Sequence, residues 1–363
     1  MTNSYAAAGV DVEAGEHAVA LMKASVLAAS RPEVVGDFGG FAGLFDASAL
    51  TKFRRPLLAT GTDGVGTKVV VAQRMGVHHT IGIDLVAMIA DDIVVCGAEP
   101  LFLTDYIATG KVEPHVVADI VRGVAEGCKQ AGMALLGGET AEHPGVMKPG
   151  EYDVAGAGTG AVEADELLGA DRVVDGDVII SMAASGLHSN GYSLARYVLL
   201  GDAGQAAGLS LDKHVDELGR SLGEEMLEPT RIYSLDCLAL KNQLGADLHT
   251  FSHITGGGIA ANIARVLPTH LAADIERGTW DVHPIFNLIS RLGNVSQAEM
   301  EKTFNMGLGM VAVVSASRAA DAVTALQSRG ISAAQIGVVR NRHEGEHGDA
   351  AAKGGKGGAV SLR

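Results

Sequence analysis

Apolar positions in the first half of the chain fall into short runs and longer periodic stretches, each closed by glycine or proline, a rhythm that predicts alternating strands and helices. Leu57 to Thr60 is a brief apolar run ending at Gly61, and Leu101 to Ala108 is a longer run of aliphatic and aromatic residues; both predict strands. Between them Ile83 to Cys96 predicts a buried helix. Pro114 suits a first helical position, and after it Val117, Ile120, Val121, Val124 and Cys128 recur at helical spacing up to a stop at Gly132. Ala134 to Leu136 and Tyr152 to Val162 predict extended segments, the second threading small residues through GAGTGAV.

Turn residues mixed with charge at Glu166 to Asp175 predict a domain boundary, after which the apolar strand Val178 to Met182 restarts the rhythm. Helical patterns cover about 191–200, 215–241, 258–266 and 316–329, and strands are expected near 248–254, 271–275, 308–315 and 334–340. The fold class expected is α/β (α+β), with two mixed α/β domains at 1–168 and 169–342. The polar, Gly-rich segment 343–363 has little apolar surface to bury and predicts a disordered tail. A length of 363 residues agrees with two domains, because single cores stop growing at roughly 250–300 residues.

Charge narrows the function. With 28 basic and 43 acidic side chains the net charge is −15, which repels nucleic acid and obliges any phosphate ligand to be held by local amides, a few cations and a metal ion. Cys96, Cys128 and Cys237 are too far apart for a ligand pattern. The N-terminus has no basic and apolar leader, and no apolar stretch approaches the roughly eighteen residues of a membrane helix. The expectation is a soluble cytoplasmic protein with no membrane or nucleic-acid partner.

Gly61 to Lys68 reads GTDGVGTK and follows a predicted strand, so its amides can face an anion, with Lys68 adding charge. It misses the P-loop by one residue, since Val69 rather than Ser or Thr follows the lysine and valine cannot reach magnesium. Asp63, in the same turn, is the natural metal ligand; a turn with a solvated lysine explains the pattern as well. Asp84 and Asp91 share a face of the following helix, with Asp92 about a quarter-turn away. Three acids among apolar residues point to a metal and phosphate site, or equally to a solvated stripe.

Three loops add donors. Gly137 to Gly145 carries Glu139, Glu142 and His143, suited to acid or base work, or to helix capping by Thr140 with the acids in solvent. Ser185 to Ser193 reads SGLHSNGYS between a strand and a helix; Ser185, Ser189, Asn190 and His188 offer groups to an anion, although Ser189 or Asn190 equally suits an N-cap. The same loop approaches the nucleophile elbow of serine hydrolases, with Leu187 where glycine is required. Gly256, Gly257 and Gly258 would then serve as an oxyanion loop, or as a second phosphate cradle. Gly156 to Ala161 satisfies the dinucleotide fingerprint only by coincidence, since a strand continues after it.

Taken in series, SYAAAGVDVEAG, GTDGVGTK, GIDLVAMIADDIVVCGAEP, GGETAEHPG, SGLHSNGYSL, ITGGG and TFNMGLGM resemble the phosphoribosylformylglycinamidine cyclo-ligases over about residues 4–342. Asp92 to Pro100 reads D-x4-G-A-x-P, a signature of that family. Its superfamily includes selenophosphate synthetases, thiamine-phosphate kinases and a hydrogenase maturation factor, which bind ATP without a P-loop. The resemblance implies a homodimer whose N-terminal strands form a shared barrel, with ATP near that interface. It implies ATP-dependent closure of formylglycinamidine ribonucleotide to aminoimidazole ribonucleotide, with ADP and phosphate released; another ATP-using member, such as a small-molecule kinase, is the alternative.

By motif position, Asp63 and Asp92, then Asp91 and Asp84, fall to Mg2+. Lys68 and the Gly64, Val65, Gly66 and Thr67 amides fall to ATP phosphates. Ser185, Gly186, His188, Ser189, Asn190 and Gly256 to Gly258 fall to the substrate and its ribose phosphate, with His188 a proton donor or charge stabiliser. Glu139 is implied as a base or metal-shell residue. Two features depart from the pattern: His143 stands where relatives often carry Met, and the tail after Arg342 looks appended.

Overall fold

The computed structural model describes residues 11–36, 39–40 and 42–363, so residues 4–10 of the first motif lie outside it. The chain divides into two compact units, Met1–Ile93 with Glu99–Ala164, and Val94–Ala98 with Asp165–Arg363.

In the first unit, α1 (Val12–Ala28), the short pair β1 (Val34–Val35) and β2 (Leu44–Phe45), β3 (Pro56–Gly64), α2 (Val69–Met75) and α3 (His79–Val94) are followed by β4 (Glu99–Thr109), α4 (Pro114–Ala131), β5 (Ala134–Glu142) and β6 (Tyr152–Glu163). The four long strands form a sheet in the order β3-β6-β4-β5, with only β4 and β5 parallel, joined by α4 as a crossover. Small residues on β6 have a packing reason: a Cβ on Gly158 would come 2.6 Å from Ile89, and one on Gly160 2.6 Å from Ile93, so α3 lies directly on the strand. Val117, Ile120, Val121, Val124 and Cys128 of α4 are buried as their spacing predicts, and Gly132 ends the helix in the left-handed region at φ 71°. On the opposite face of the sheet, among the described residues, Leu58 is 64% and Tyr106 40% exposed.

The second unit is built on a six-stranded sheet, β10-β12-β7-β13-β11-β14. Its elements are β7 (Val178–Ala183), α5 (Tyr192–Leu199), α6 (Asp202–Ala206), the small pair β8 (His214–Val215) and β9 (Arg220–Ser221), α7 (Leu222–Met226), α8 (Ser234–Leu244), β10 (Leu248–His253), α9 (Gly258–Arg265), β11 (Leu271–Ile275), α10 (Pro284–Gly293), α11 (Gln297–Thr303), β12 (Leu308–Val314), α12 (Ala319–Ser328), β13 (Gln335–Asn341) and β14 (Ala359–Leu362). Successive residues of β7 feed two cores: Ile180 and Met182 join one with Phe251, Leu240 and Leu326, and Ile179 joins another with Ile259, Ile263 and Val313.

Three expectations are corrected here, and one helix was not anticipated. Residues 137–142 are not a loop but the second half of β5, paired in register with β4. The helix expected over 215–241 is interrupted: Gly219 turns at φ 69°, a Ser221 capping box starts α7, and Pro229 precedes α8. The helix α1, with only Ala18 and Met22 buried, has too narrow an apolar stripe to announce itself. The tail is not disordered throughout, since β14 pairs in parallel with β11 and buries Ala359, Val360 and Leu362. The four-residue run AVSL suffices because a sheet edge is already there to receive it. Among the described residues no helix is long and apolar enough to cross a membrane.

Candidate functional site

In the first unit β3 pairs with β6 as far as Gly64, so Asp63 sits on a strand rather than in a loop. Its Oδ1 accepts the Gly64 N–H at 2.7 Å, and the Val65 N–H is donated to the Val154 carbonyl at 3.4 Å. Gly66 turns at φ 71°, and Gly66–Lys68 makes a single tight turn into α2. The expected amide cradle is therefore narrower than the sequence suggests: the Gly64 and Val65 amides are engaged by the protein, while Gly66 and Thr67 lie at the surface. Lys68 is fully buried, its Nζ 2.9 Å from Asp84 Oδ1 and 2.8 Å from Oδ2. That pair removes the solvated-lysine alternative and makes Asp84 a counter-ion instead of an open metal ligand. Asp91 is buried and Asp92 exposed, as their offset on α3 requires. The four aspartates do not form one cage; among the described residues no three acid, His or Cys side chains converge on a metal position.

Beside β5 lies a cavity of about 860 Å³, walled by α1, α4, the 39–43 segment, β4 and β5. Its lining includes Val19, Met22, Val121 and Leu135, with carboxyls from Asp11, Glu16, Asp105, Glu139 and Glu142 and, among the described residues, no Lys, Arg or His. Glu142 is structural: its carboxylate accepts N–H groups from Asp11 at 2.6 Å and Val112 at 2.7 Å, tying the start of α1 to the β4–α4 connection. Glu139 is exposed and accepts the Thr140 N–H at 3.1 Å, so no helix is capped there. His143 meets the Tyr106 hydroxyl at 3.1 Å.

Asp105 is the residue that sequence reasoning missed. It is 8% exposed, no side chain of another residue bonds it, and burial pushes its carboxyl up to about 7. Its place in register with Gly138 explains that glycine, because any Cβ there would collide with the Asp105 carboxyl. The signal was present in the sequence: Leu103, Asp105 and Ile107 share one face of β4, an acid where alternation calls for an apolar residue.

In the second unit the Ser185–Asn190 loop follows β7. His188, 2% exposed with φ 62°, accepts the Ser185 N–H on Nε2 at 3.1 Å, which assigns the neutral ring's proton to Nδ1. Ser185 Oγ donates to the Pro229 carbonyl at 2.6 Å and accepts the Arg231 N–H at 3.1 Å. Asn305 holds the Gly186 carbonyl at 2.9 Å. Asn190 Oδ1 accepts the Gly256 N–H at 3.0 Å, so the two segments assigned to substrate meet. Gly257 and Gly258 both take positive φ, 101° and 72°, and Gly258 packs against the Glu301 carbonyl with no room for a Cβ. Asn262 secures the turn by donating to the Thr255 and Gly258 carbonyls at 3.1 and 2.7 Å. Ser189 is buried and does not present the exposed hydroxyl of a nucleophile elbow, which removes the hydrolase alternative.

The chain matches the family described as AIR synthase related protein, N-terminal domain, over residues 46–162, and its C-terminal domain over residues 174–349. It is 49% identical to the phosphoribosylformylglycinamidine cyclo-ligase of Brevibacillus brevis, covering 94% of this chain and 96% of the relative. It is 48% identical to that of Bacillus cereus, covering 93% and 95%. Among solved structures it resembles thiamine-monophosphate kinase from Stenotrophomonas maltophilia, with TM-score 0.63 at 18% identity over 95% of each chain. It also resembles the hydrogenase maturation protein HypE in complex with ATP, with TM-score 0.60 at 18% identity over 88% of this chain and 84% of that one. Those two likenesses concern the fold alone.

Proposed function

This chain belongs to the phosphoribosylformylglycinamidine cyclo-ligase family, and from that premise we propose how its own residues divide the work of the reaction. It is an ATP-dependent ligase of purine biosynthesis that converts formylglycinamidine ribonucleotide to aminoimidazole ribonucleotide, ADP and phosphate. The observation that carries this is 49% identity across 94% of the chain, with the described motifs seated in two built sites. ATP transfers its γ-phosphoryl group to the formamide oxygen; the amidine nitrogen attacks the activated carbon, and the ring closes as phosphate departs. The protein's share is positioning, charge stabilisation and exclusion of water.

The joined loops of the second unit, Ser185 to Asn190 and Gly256 to Gly258, hold the substrate and its ribose phosphate. His188 Nδ1–H is the donor for charge building on the substrate. ATP enters the cavity beside β5 with its base innermost, because a lining of carboxyls with no cation among the described residues repels phosphates. Gly66 and Thr67 serve phosphate oxygens, and Lys68 acts indirectly by pinning their turn through Asp84.

Magnesium fits this chain as an ion held by few protein oxygens. Magnesium is commonly bound through one or two carboxylates with substrate phosphates and water, and Asp63, Asp92 and Glu139 are the carboxylates not wholly buried. Bound there, it would neutralise phosphate charge. A second copy of the chain is the partner proposed for the sheet face around Leu58 and Tyr106, closing the barrel and hiding that apolar surface. A cytoplasmic location suits Cys96, Cys128 and Cys237, all free thiols.

Protein mixed with magnesium-ATP and formylglycinamidine ribonucleotide should yield ADP and an aminoimidazole detectable by diazo colour. ADP without aminoimidazole overturns the cyclo-ligase assignment in favour of a kinase.

A further inference from the structure

The cavity beside β5 contains a buried acid that the reaction above does not use. Asp105 is buried at its floor against Gly138, with no other residue's side chain bonded to it, while aliphatic side chains from α1, α4 and β5 form the walls. A buried carboxyl whose one hydrogen bond comes from its own backbone amide is costly, so it is retained for something that enters. About 860 Å³ lies within the size of cavities that enclose a nucleotide-sized ligand. The apolar walls suit a flat, uncharged ring, and with no Lys, Arg or His in the lining among the described residues the phosphates are not drawn inward.

We infer that Asp105 reads the purine base, its neutral carboxyl donating O–H to adenine N1 and accepting a hydrogen from the N6 amino group. This rests on the reading that the cavity takes the base of ATP. A carboxylic acid offers one donor and one acceptor side by side, the complement of adenine's Watson–Crick edge. An ionised carboxylate offers acceptors only, which match guanine's N1–H and N2 amino group. The protonation state of one side chain therefore sets the choice between ATP and GTP.

Burial raises the acid to about 7, and the hydrogen bond from its own backbone amide works the other way. Glu139 and Glu142 of β5, Glu16 of α1 and Asp11 before it are all anions or potential anions lining the cavity. Cys128 of α4 has its thiol pushed up by burial and by the nearby Asp105, so it too stays neutral. Asp63 lies two strands away on the same face. The acids of α3, which packs on this face, are Asp84, paired with the buried Lys68, and Asp91 and Asp92; no charged neighbour contributes to the raised Asp105 carboxyl.

The experiment measures kcat/KM for ATP and for GTP with the whole enzyme between pH 6 and 8, and takes their ratio. The ratio cancels triphosphate ionisation and the pH dependence of the ring closure. The expected ratio falls by at least about tenfold across that range as Asp105 ionises. Asp105→Asn, whose amide also donates and accepts, is expected to favour ATP with a ratio that no longer changes with pH. A ratio independent of pH in the unmodified enzyme, or one that still falls in Asp105→Asn, overturns the inference. Val19→Phe, which fills the cavity wall, tests the underlying reading separately. A raised KM for ATP supports base entry there; an unchanged KM removes the cavity from ATP binding, whatever Asp105 does.

Discussion

Asp63 and Asp105 stand in one row across the sheet of the first unit, each in register with Gly156 of the strand between them, and so point to the same face. At about 4.8 Å per strand spacing they are roughly 10 Å apart at the backbone. Their surroundings part them: Asp63 is half-buried and accepts its neighbour's amide, whereas Asp105 is closed off beside Gly138 and held largely neutral. The same residue type in the same row thus meets two different surroundings, and it is at Asp105 that burial raises the carboxyl.

That difference has a stability signature. The Asp105 carboxyl is raised from 3.8 to about 7 in the folded chain, so between those values the folded state holds a proton that the unfolded state has released. Its contribution is complete below about 4, declines as pH rises toward 7 and is lost above. Each unit of separation is worth about 1.4 kcal/mol, giving a loss on the order of a few kcal/mol. Asp105→Asn should therefore melt higher than the unmodified protein at pH 8 and show a smaller advantage at pH 5. Melting curves at the two pH values decide this, and an advantage that does not grow with pH would falsify the neutral-carboxyl assignment.

Lys68 and Asp84, both wholly buried, form an ion pair whose halves depend on each other. Lys68→Met or Asp84→Leu alone should cost about 3–5 kcal/mol, since either leaves a buried charge without its partner. The double substitution should recover most of that stability. Comparing the three by denaturant unfolding tests the pair, and the folded double variant's KM for ATP then separates a pinning role from direct phosphate contact. A KM unchanged from the parent limits Lys68 to structure.

How much of this was legible beforehand follows from where the information lies. Strands β3, β4 and β6 and helix α4 were legible because burial on one face writes a period into the sequence, and β7 and α3 because burial nearly all round makes a largely apolar run. The Gly137 to Glu142 strand was not, since Gly138 is there to admit the Asp105 carboxyl from the neighbouring strand, a non-local cause that mimics a loop locally. Asp84 was singled out correctly as a costly acid, but its partner, sixteen residues earlier, was visible only once the chain had folded. The tail misled because its composition is polar overall while Ala359–Leu362 complete a sheet.

Removing that strand measures its worth. Val360 is fully buried and Leu362 nearly so, and Arg363 pairs with Asp274 of β11 at 2.9 Å. Burying a Val or Leu side chain contributes about 1.5–3 kcal/mol, so deleting 359–363 should lower stability by roughly 3–6 kcal/mol. A truncated protein that melts with the parent would show that the edge strand adds nothing.

The contact between Asn190 and Gly256 gives the sharpest separation between the two proposed ligand sites. Asn190 Oδ1 holds the Gly256 N–H at 3.0 Å, and Gly256, Gly257 and Gly258 owe their orientation to that bond and to Asn262. Asn190→Ala removes the acceptor from one end of the turn without touching the first unit's cavity. A misplaced phosphate seat weakens substrate binding in ground and transition states alike, so the KM for formylglycinamidine ribonucleotide should rise by about tenfold or more, with a smaller change in kcat. The KM for ATP should stay near its original value, because the nucleotide's base is held elsewhere. Steady-state kinetics with each substrate varied in turn reads both quantities from one preparation. An equal rise in both KM values would mean that the turn serves the nucleotide as well, and would move the Gly256 to Gly258 amides from the ribose phosphate to ATP.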